Sequence, residues 1–298
     1  MSHSHTHAHS SVKNIKLVFF LNLGFTLVEF VGGFLTNSTA ILADAVHDLG
    51  DSFALGQAWY FGSLAQRKGD NRYTYGFKRF ATLGALISTF VLLLSSFYVL
   101  SEAVPRIIEP EHSNAQGMIV LAVIGIAVNG YAMLKLAGES DINARTVGLH
   151  LLEDVLGWVA ILIVAVILLF KDIPVLDPIL AVLITLYILS NVVKNVRAIL
   201  PIFLQAAPDK IDVNIISARI VEIEHVQNVH HVHIWSLDDQ HQVFSVHIVV
   251  DTSLDAQQYA DIKLKVKELV EELGFSHSTV EIELPDESCR ISEHEHCA

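Results

Sequence analysis

Two phrases of this sequence place chemistry in otherwise strongly apolar surroundings. They are Ala43-Asp44-Ala45-Val46-His47-Asp48-Leu49-Gly50-Asp51 and Gly148-Leu149-His150-Leu151-Leu152-Glu153-Asp154. Each contains His-x-x-x-Asp, as His47 with Asp51 and His150 with Asp154. On a helix, residues four apart stack on one face, about 6 Å apart along the axis. Each phrase therefore projects one imidazole and one carboxylate in the same direction. Two such helices face to face offer two nitrogens and two oxygens, a tetrahedral set suited to Zn²⁺.

Other polar residues accompany the pairs. Asp44 and Asp48 flank His47, and the spacing predicts that they orient its imidazole as outer acceptors or line a cytoplasmic entrance. Glu153 adjoins Asp154 and points elsewhere around the helix. Glu29 and Asn129 stand in apolar runs and are expected to make buried polar contacts between helices.

The elements that must hold these residues are legible from composition. The 298 residues are 52% apolar yet carry a formal net charge of −13. The two properties are segregated: the long apolar runs lie before about residue 205 and the acidic surplus after it. That pattern predicts a membrane domain followed by a soluble acidic one. Strong negative charge argues against nucleic acid as a partner and favours cations. The two cysteines, Cys289 and Cys297, stand near the end, so no disulfide framework supports the fold. Histidine alternates with small residues from His3 to His9, without the basic start and apolar centre of a cleavable signal. Residues 1–14 are read as a cytoplasmic leader able to capture metal weakly.

Six apolar segments reach the roughly 20 residues that a bilayer requires, near 15–36, 40–64, 80–104, 116–137, 146–170 and 177–199. Lys13, Lys16, Arg67, Lys68, Arg72, Lys78, Arg79, Lys135, Arg145, Lys194 and Arg197 fall on one side of them, against Arg106 and Lys171 on the other. Positive residues stay cytoplasmic, so both termini are expected inside. Residues 35–39 make a tight hairpin between the first two spans, and 67–79 form a basic, aromatic cytoplasmic loop in which Arg79 could approach Asp209. Pro105 and Pro110 punctuate the third span, Pro174 and Pro178 lead into the sixth, and Pro201 and Pro208 mark a linker.

Beyond it the period changes. Residues 211–224 carry apolar residues at helical spacing, 229–237 and 242–251 alternate as a hairpin, 256–273 is an amphipathic helix stopped by Gly274, and 279–284 alternate again. The fold class is thus a six-helix transmembrane bundle, residues 15–205, followed by a cytoplasmic α+β domain, residues 206–284. That domain has the order α-β-β-α-β and is an open-faced sandwich of metallochaperone type. A polar Cys/His-containing tail, 285–298, completes the chain.

Four ionisable groups in the bilayer interior imply a cost on the order of 10 kcal/mol if unpaired. A cation resolves the surplus of acceptors better than His–Asp hydrogen bonds alone, which would not explain matched spacing in two helices. Four protein ligands leave no open position for hydrolytic water. No His-Glu-x-x-His and no phosphate-cradling Gly-x-x-x-x-Gly-Lys-Ser/Thr occurs. An enzyme is therefore not expected. Imidazole and carboxylate bind metal only when deprotonated, so protons and Zn²⁺ compete for the same atoms. A site facing a more acidic exterior would release metal and take up protons, which is secondary antiport.

The paired motifs, Arg72-Tyr73-Thr74-Tyr75-Gly76, and Val229-His230-His231-Val232-His233-Ile234-Trp235 resemble those of the cation diffusion facilitators, most closely the bacterial zinc/cadmium/cobalt-exporting branch. The resemblance covers essentially the whole chain. It implies a homodimer in the inner membrane that exports Zn²⁺ against protons, without excluding Cd²⁺ and Co²⁺, through His47, Asp51, His150 and Asp154. A loop metal site of some relatives would fall here on Asp70, Tyr73 and Phe77, two of which ligate metal poorly, so it is expected to be absent. A cytoplasmic zinc site at the dimer interface would fall on His230 and His247 with Glu281 or Glu283. Strand alternation puts His231 and His233 together on the face opposite His230. The tail residues Cys289, His294, His296 and Cys297 have irregular zinc-suited spacing. The alternative to transport is a membrane-bound metal sensor signalling through the cytoplasmic domain, and a third reading is an intramembrane zinc hydrolase.

Overall fold

A computed structural model describes the backbone of residues 4–136, 142–209 and 211–287, and the side chains of residues 19–135, 148–209 and 211–287. The imidazoles of the leader and the tail residues Cys289, His294, His296 and Cys297 lie outside the described side chains. Six long helices come first: α1 (Ser4–Thr36), α2 (Thr39–Ala65), α3 (Arg79–Ile108), α4 (Ala115–Leu136), α5 (Ile142–Phe170) and α6 (Leu176–Phe203). Five, all but α2, are long and apolar enough to cross a membrane. The exception carries Asp44, Asp48 and Asp51, whose charge offsets the apolar residues around them.

The α1–α2 hairpin turns on Asn37, which takes a left-handed backbone (φ 52°) that its short polar side chain tolerates. Ser38 opens α2, its hydroxyl accepting from the Ile41 amide at 3.2 Å. Asp177 of α6 then fastens this helix start. Its carboxylate accepts from the Ser38 hydroxyl (2.5 Å), the Thr39 amide (2.7 Å) and the Thr39 hydroxyl (2.9 Å). A carboxylate at a helix N-terminus meets both the free amides and the positive end of the dipole. Pro105 and Pro201 do not end their helices: both lie inside the last turns of α3 and α6, where few carbonyls depend on the missing amide.

The bundle core gathers Phe25, Ile41, Met118, Trp158 and Ile161, all buried. Trp158 of α5 lies so close to α4 that a Cβ on Gly125 would stand 2.4 Å from its ring. Only glycine admits that approach.

The chain divides into two compact units, one of residues 1–60 and 84–195 and another of 61–83 and 196–298. The second holds α7 (Val213–Val221), β1 (Val226–Ser236), β2 (Gln242–Val250), α8 (Ala256–Glu272) and β3 (Phe275–Glu283). Asp212 caps α7, and Asp255 with Gln258 forms a reciprocal capping box on α8. Gly274 takes the left-handed conformation (φ 88°) that stops α8. β3 starts at once at Phe275, four residues ahead of the alternating stretch, because Ser276 and Ser278 make a polar strand start with no apolar signal. The sheet order is β1-β2-β3, with β1 antiparallel and β3 parallel to β2. One face packs Ile234, Phe244, Val246 and Ile248 against Ile216 and Ile220 of α7 and Ile262, Val266 and Val270 of α8. The other face carries the histidines.

Candidate functional site

The structure brings His47, Asp51, His150 and Asp154 together. His150 Nε2 lies 2.9 Å from Asp51 Oδ2 and 3.9 Å from Asp154 Oδ2, and His47 Nε2 lies 3.6 Å from the same Asp51 oxygen. The two imidazoles stand 6.0 Å apart and nearly perpendicular. Asp51 meets His150 while Asp44, two turns earlier on α2, lies near Gly157, two turns later on α5. The two helices therefore run antiparallel at the site. Despite their short separations, His150 Nε2 and Asp154 Oδ2 have no partner in hydrogen-bond geometry. Two imidazole nitrogens and two carboxylates brought this close from two helices are what a set of metal ligands requires.

Around this set the sequence expectations are corrected. Neither Asp44 nor Asp48 orients the imidazole: His47 Nδ1 has no hydrogen-bond partner. Nor do they line an entrance, since both are buried, and both Asp48 oxygens are unsatisfied. Successive residues on a helix point about 100° apart, so a carboxylate next to His47 in sequence cannot reach its ring. Glu29 and Asn129 are fully buried, and the oxygens of Glu29 and the side-chain amide of Asn129 have no partner in good hydrogen-bond geometry. Glu153 is exposed, away from the set. Sequence reasoning missed Trp158 altogether; its position four residues after Asp154 was the available signal.

A second cluster lies on the open face of the sheet. His230 pairs with His247 across β1 and β2, and Glu281 and Glu283 stand on β3. Glu283 is shared between the two imidazoles, with Oε1 2.7 Å from His247 Nδ1 and Oε2 3.0 Å from His230 Nε2. The potential ligand atoms of His230, His247 and Glu283 all lie within 4.8 Å of one another. Glu281 stands at the rim, mostly exposed, with Oε2 3.3 Å from His247 Nε2.

The expected separation of His231 from His230 does not hold. Between the pairs His230–His247 and His233–Ser245, two residues of β1 oppose one of β2, and His231 takes a left-handed backbone (φ 47°). This bulge interrupts the alternation. It swings the His231 ring to 5.3 Å from His230 and 5.1 Å from His247, with His233 at 6.0 Å. Loss of solvation, then the neighbouring imidazoles of His247, His230 and His233, lower the pKa of His231 below its usual value. Its ring is therefore neutral at neutral pH, the form in which imidazole binds metal.

In the loop, the Asp70 carboxylate accepts from the amides of Arg72 (2.8 Å) and Tyr73 (2.6 Å). Those bonds hold its pKa below the usual range. The rings of Tyr73 and Phe77 pack together at 4.8 Å. Arg79 does not approach Asp209; its guanidinium donates to the Ser236 carbonyl at 3.4 Å.

Comparison with known proteins gives matches along the length of the chain. Residues 15–204 match the sequence model of a cation efflux transmembrane domain, and residues 208–285 that of the cytoplasmic domain of cation efflux proteins. The chain is 33% identical over 288 residues to a cadmium, cobalt and zinc/H(+)-K(+) antiporter of Bacillus velezensis, covering 95% of this chain and 92% of that one. It is 31% identical over 295 residues to the metal cation efflux system protein CzcD of Cupriavidus metallidurans, covering 98% and 93%. It is 32% identical over 296 residues to the zinc transporter ZitB of Escherichia coli, covering 95% and 92%.

Proposed function

The chain belongs to the cation efflux family, in its zinc, cadmium and cobalt branch, and we propose that it exports Zn²⁺ in exchange for protons through His47, Asp51, His150 and Asp154. It is a multi-pass membrane protein for metal cation efflux and not an enzyme. Cd²⁺ and Co²⁺ are further substrates by this reading, as the names of its relatives suggest.

One observation carries the proposal. A single oxygen, Asp51 Oδ2, stands within 3.6 Å of an imidazole nitrogen from each of two antiparallel helices. Zn²⁺ entering between them is taken by two nitrogens and two carboxylate oxygens. Protons arriving from the opposite side occupy the same lone pairs and discharge the metal. The ion is released because its ligands are shared with protons, and the helices that hold the ligands on two sides supply alternating access.

The chain is read as a homodimer in the inner membrane with both termini cytoplasmic, supported by the match to the dimer-forming cytoplasmic domain and by the bias of lysine and arginine. The cluster of His230, His247, Glu281 and Glu283 is read as a cytoplasmic zinc site that senses the metal to be exported. A sensor without transport is the competing reading. Proteoliposomes separate them: purified chain should move Zn²⁺ across the membrane, and Asp51→Ala should abolish that movement. Zinc binding with no flux from the wild-type chain would leave only the sensor.

A further inference from the structure

A cavity of about 780 Å³ opens in the second unit, within the range of small-molecule sites. Its wall combines Arg72, Lys78 and Arg79 with the rings of Tyr73, Tyr75 and Trp235. No carboxylate lines it among the described residues, although the chain as a whole has a net charge of −13. Neither do these three cations form an ion pair with any described carboxylate. Arg79 Nε is buried and has no hydrogen-bond partner, and its other contact, to the Ser236 carbonyl, is long at 3.4 Å. A buried guanidinium nitrogen without an acceptor is costly unless something fills that position.

The loop that presents these cations is built, not slack. Asp70 ties the amides of Arg72 and Tyr73, and the Gly76 amide donates to the Tyr73 carbonyl at 2.9 Å. Gly76 takes a left-handed backbone (φ 84°), and a Cβ on Gly69 would stand 2.6 Å from the Thr74 carbonyl oxygen. Arg72 also lies over the Tyr73 ring at 5.7 Å, which fixes its direction.

We propose that this cavity binds the phosphate ester of an anionic ligand, with Arg79 Nε and the Arg72 and Lys78 side chains as its donors. Guanidinium and ammonium groups facing one space form the usual phosphate receptor, and Tyr75 and Trp235 offer a flat apolar wall to the rest of the molecule. Arg79 opens α3, and Gln205 and Ala207 of the wall follow the end of α6 by a few residues. Both helices are apolar enough to cross a membrane. Along the chain, the wall residues Arg79, Gln205 and Ala207 thus adjoin the ends of membrane-spanning helices, where anionic phospholipid headgroups are found. A soluble phosphate ester presents the same chemistry.

Native mass spectrometry of the full chain tests this with two arms. In the first, phosphatidylglycerol is titrated against phosphatidylcholine; in the second, ATP and inorganic phosphate are added to detergent-solubilised chain. A phospholipid site retains phosphatidylglycerol over phosphatidylcholine. Arg72→Gln with Lys78→Gln then weakens retention at least tenfold, at about fivefold per lost cation. Lys194→Gln with Arg197→Gln, on α6 outside the wall, leaves retention unchanged. Arg79→Lys, which keeps the charge and the fold, also weakens it by removing the Nε donor. If ATP or phosphate is retained instead and lost in the same variants, the site is a phosphate site supplied from solution. Equal retention of both lipids with no retention of ATP or phosphate overturns the proposal. So does retention by the Arg72 and Lys78 variant equal to that of the wild type.

Discussion

The Asp51 carboxylate lies closer to the imidazole of the other helix than to its own: 2.9 Å to His150 against 3.6 Å to His47. The contact that joins α2 to α5 at this level is therefore polar and passes through a residue read as a metal ligand. Asp51→Asn keeps the shape but removes the negative charge from the shared oxygen. It is expected to weaken Zn²⁺ binding to the membrane site by at least tenfold, and Asp51→Asn with His150→Ala should cost less than the sum of the two. Calorimetric titration of the purified variants measures both; additive effects would mean that the two residues do not share a ligand.

Asp48 is fully buried and neither of its oxygens has a partner. A carboxyl buried without a partner takes up a proton rather than keep its charge, so an amide of the same shape replaces one neutral group with another. Asp48→Asn should therefore shift the melting temperature by no more than a few degrees. It should also lower zinc flux, since an unsatisfied buried polar group is retained where function needs it. Differential scanning fluorimetry beside a flux assay reads the pair of effects; a large fall in melting temperature would show that Asp48 is satisfied.

Gly125 leaves no room for a side chain against Trp158. Overpacking of this kind costs about 1–3 kcal/mol. Gly125→Ala should therefore destabilise the bundle, and Trp158→Leu in the same chain should restore most of the loss. Because Trp158 follows Asp154 by one helical turn, Gly125→Ala should also disturb zinc binding. Melting curves of the single and double variants decide it: no rescue would place the strain elsewhere.

On the sheet, Glu283 is shared by His230 and His247 as Asp51 is shared in the bundle. Glu283→Gln should remove one Zn²⁺ per chain from the binding stoichiometry without abolishing flux. Acidification should remove the same ion, because protons compete for the imidazole lone pairs. Equilibrium dialysis at pH 7.5 and at pH 5.5 gives the count; an unchanged count in Glu283→Gln would exclude this carboxylate as a ligand.

How much of the fold and site is legible in the sequence depends on the range of the forces involved. The helices are legible because burial in lipid demands unbroken apolar runs, and the His-x-x-x-Asp pairs because one helical turn sets their direction. His231 departs from its expected face because a bulge is a tertiary event: the extra residue shows only in the register of β1 against β2. The unsatisfied state of Asp48 is equally hidden, because sequence locates a polar residue but not the absence of its partner. Pro105 and Pro201 mislead for a different reason. Near a helix end the lost hydrogen bond is one that the last turn scarcely needs.

The central claim is exchange of metal for protons at one set of atoms, and the most direct measurement follows both ions together. Proteoliposomes carrying the chain, loaded with a pH-sensitive dye and a zinc-sensitive dye, are given Zn²⁺ outside with no imposed pH gradient. Zinc entry should acidify the medium and alkalinise the lumen in step, and both signals should vanish in Asp51→Ala. Zinc entry at the wild-type rate with no movement of protons would contradict the account.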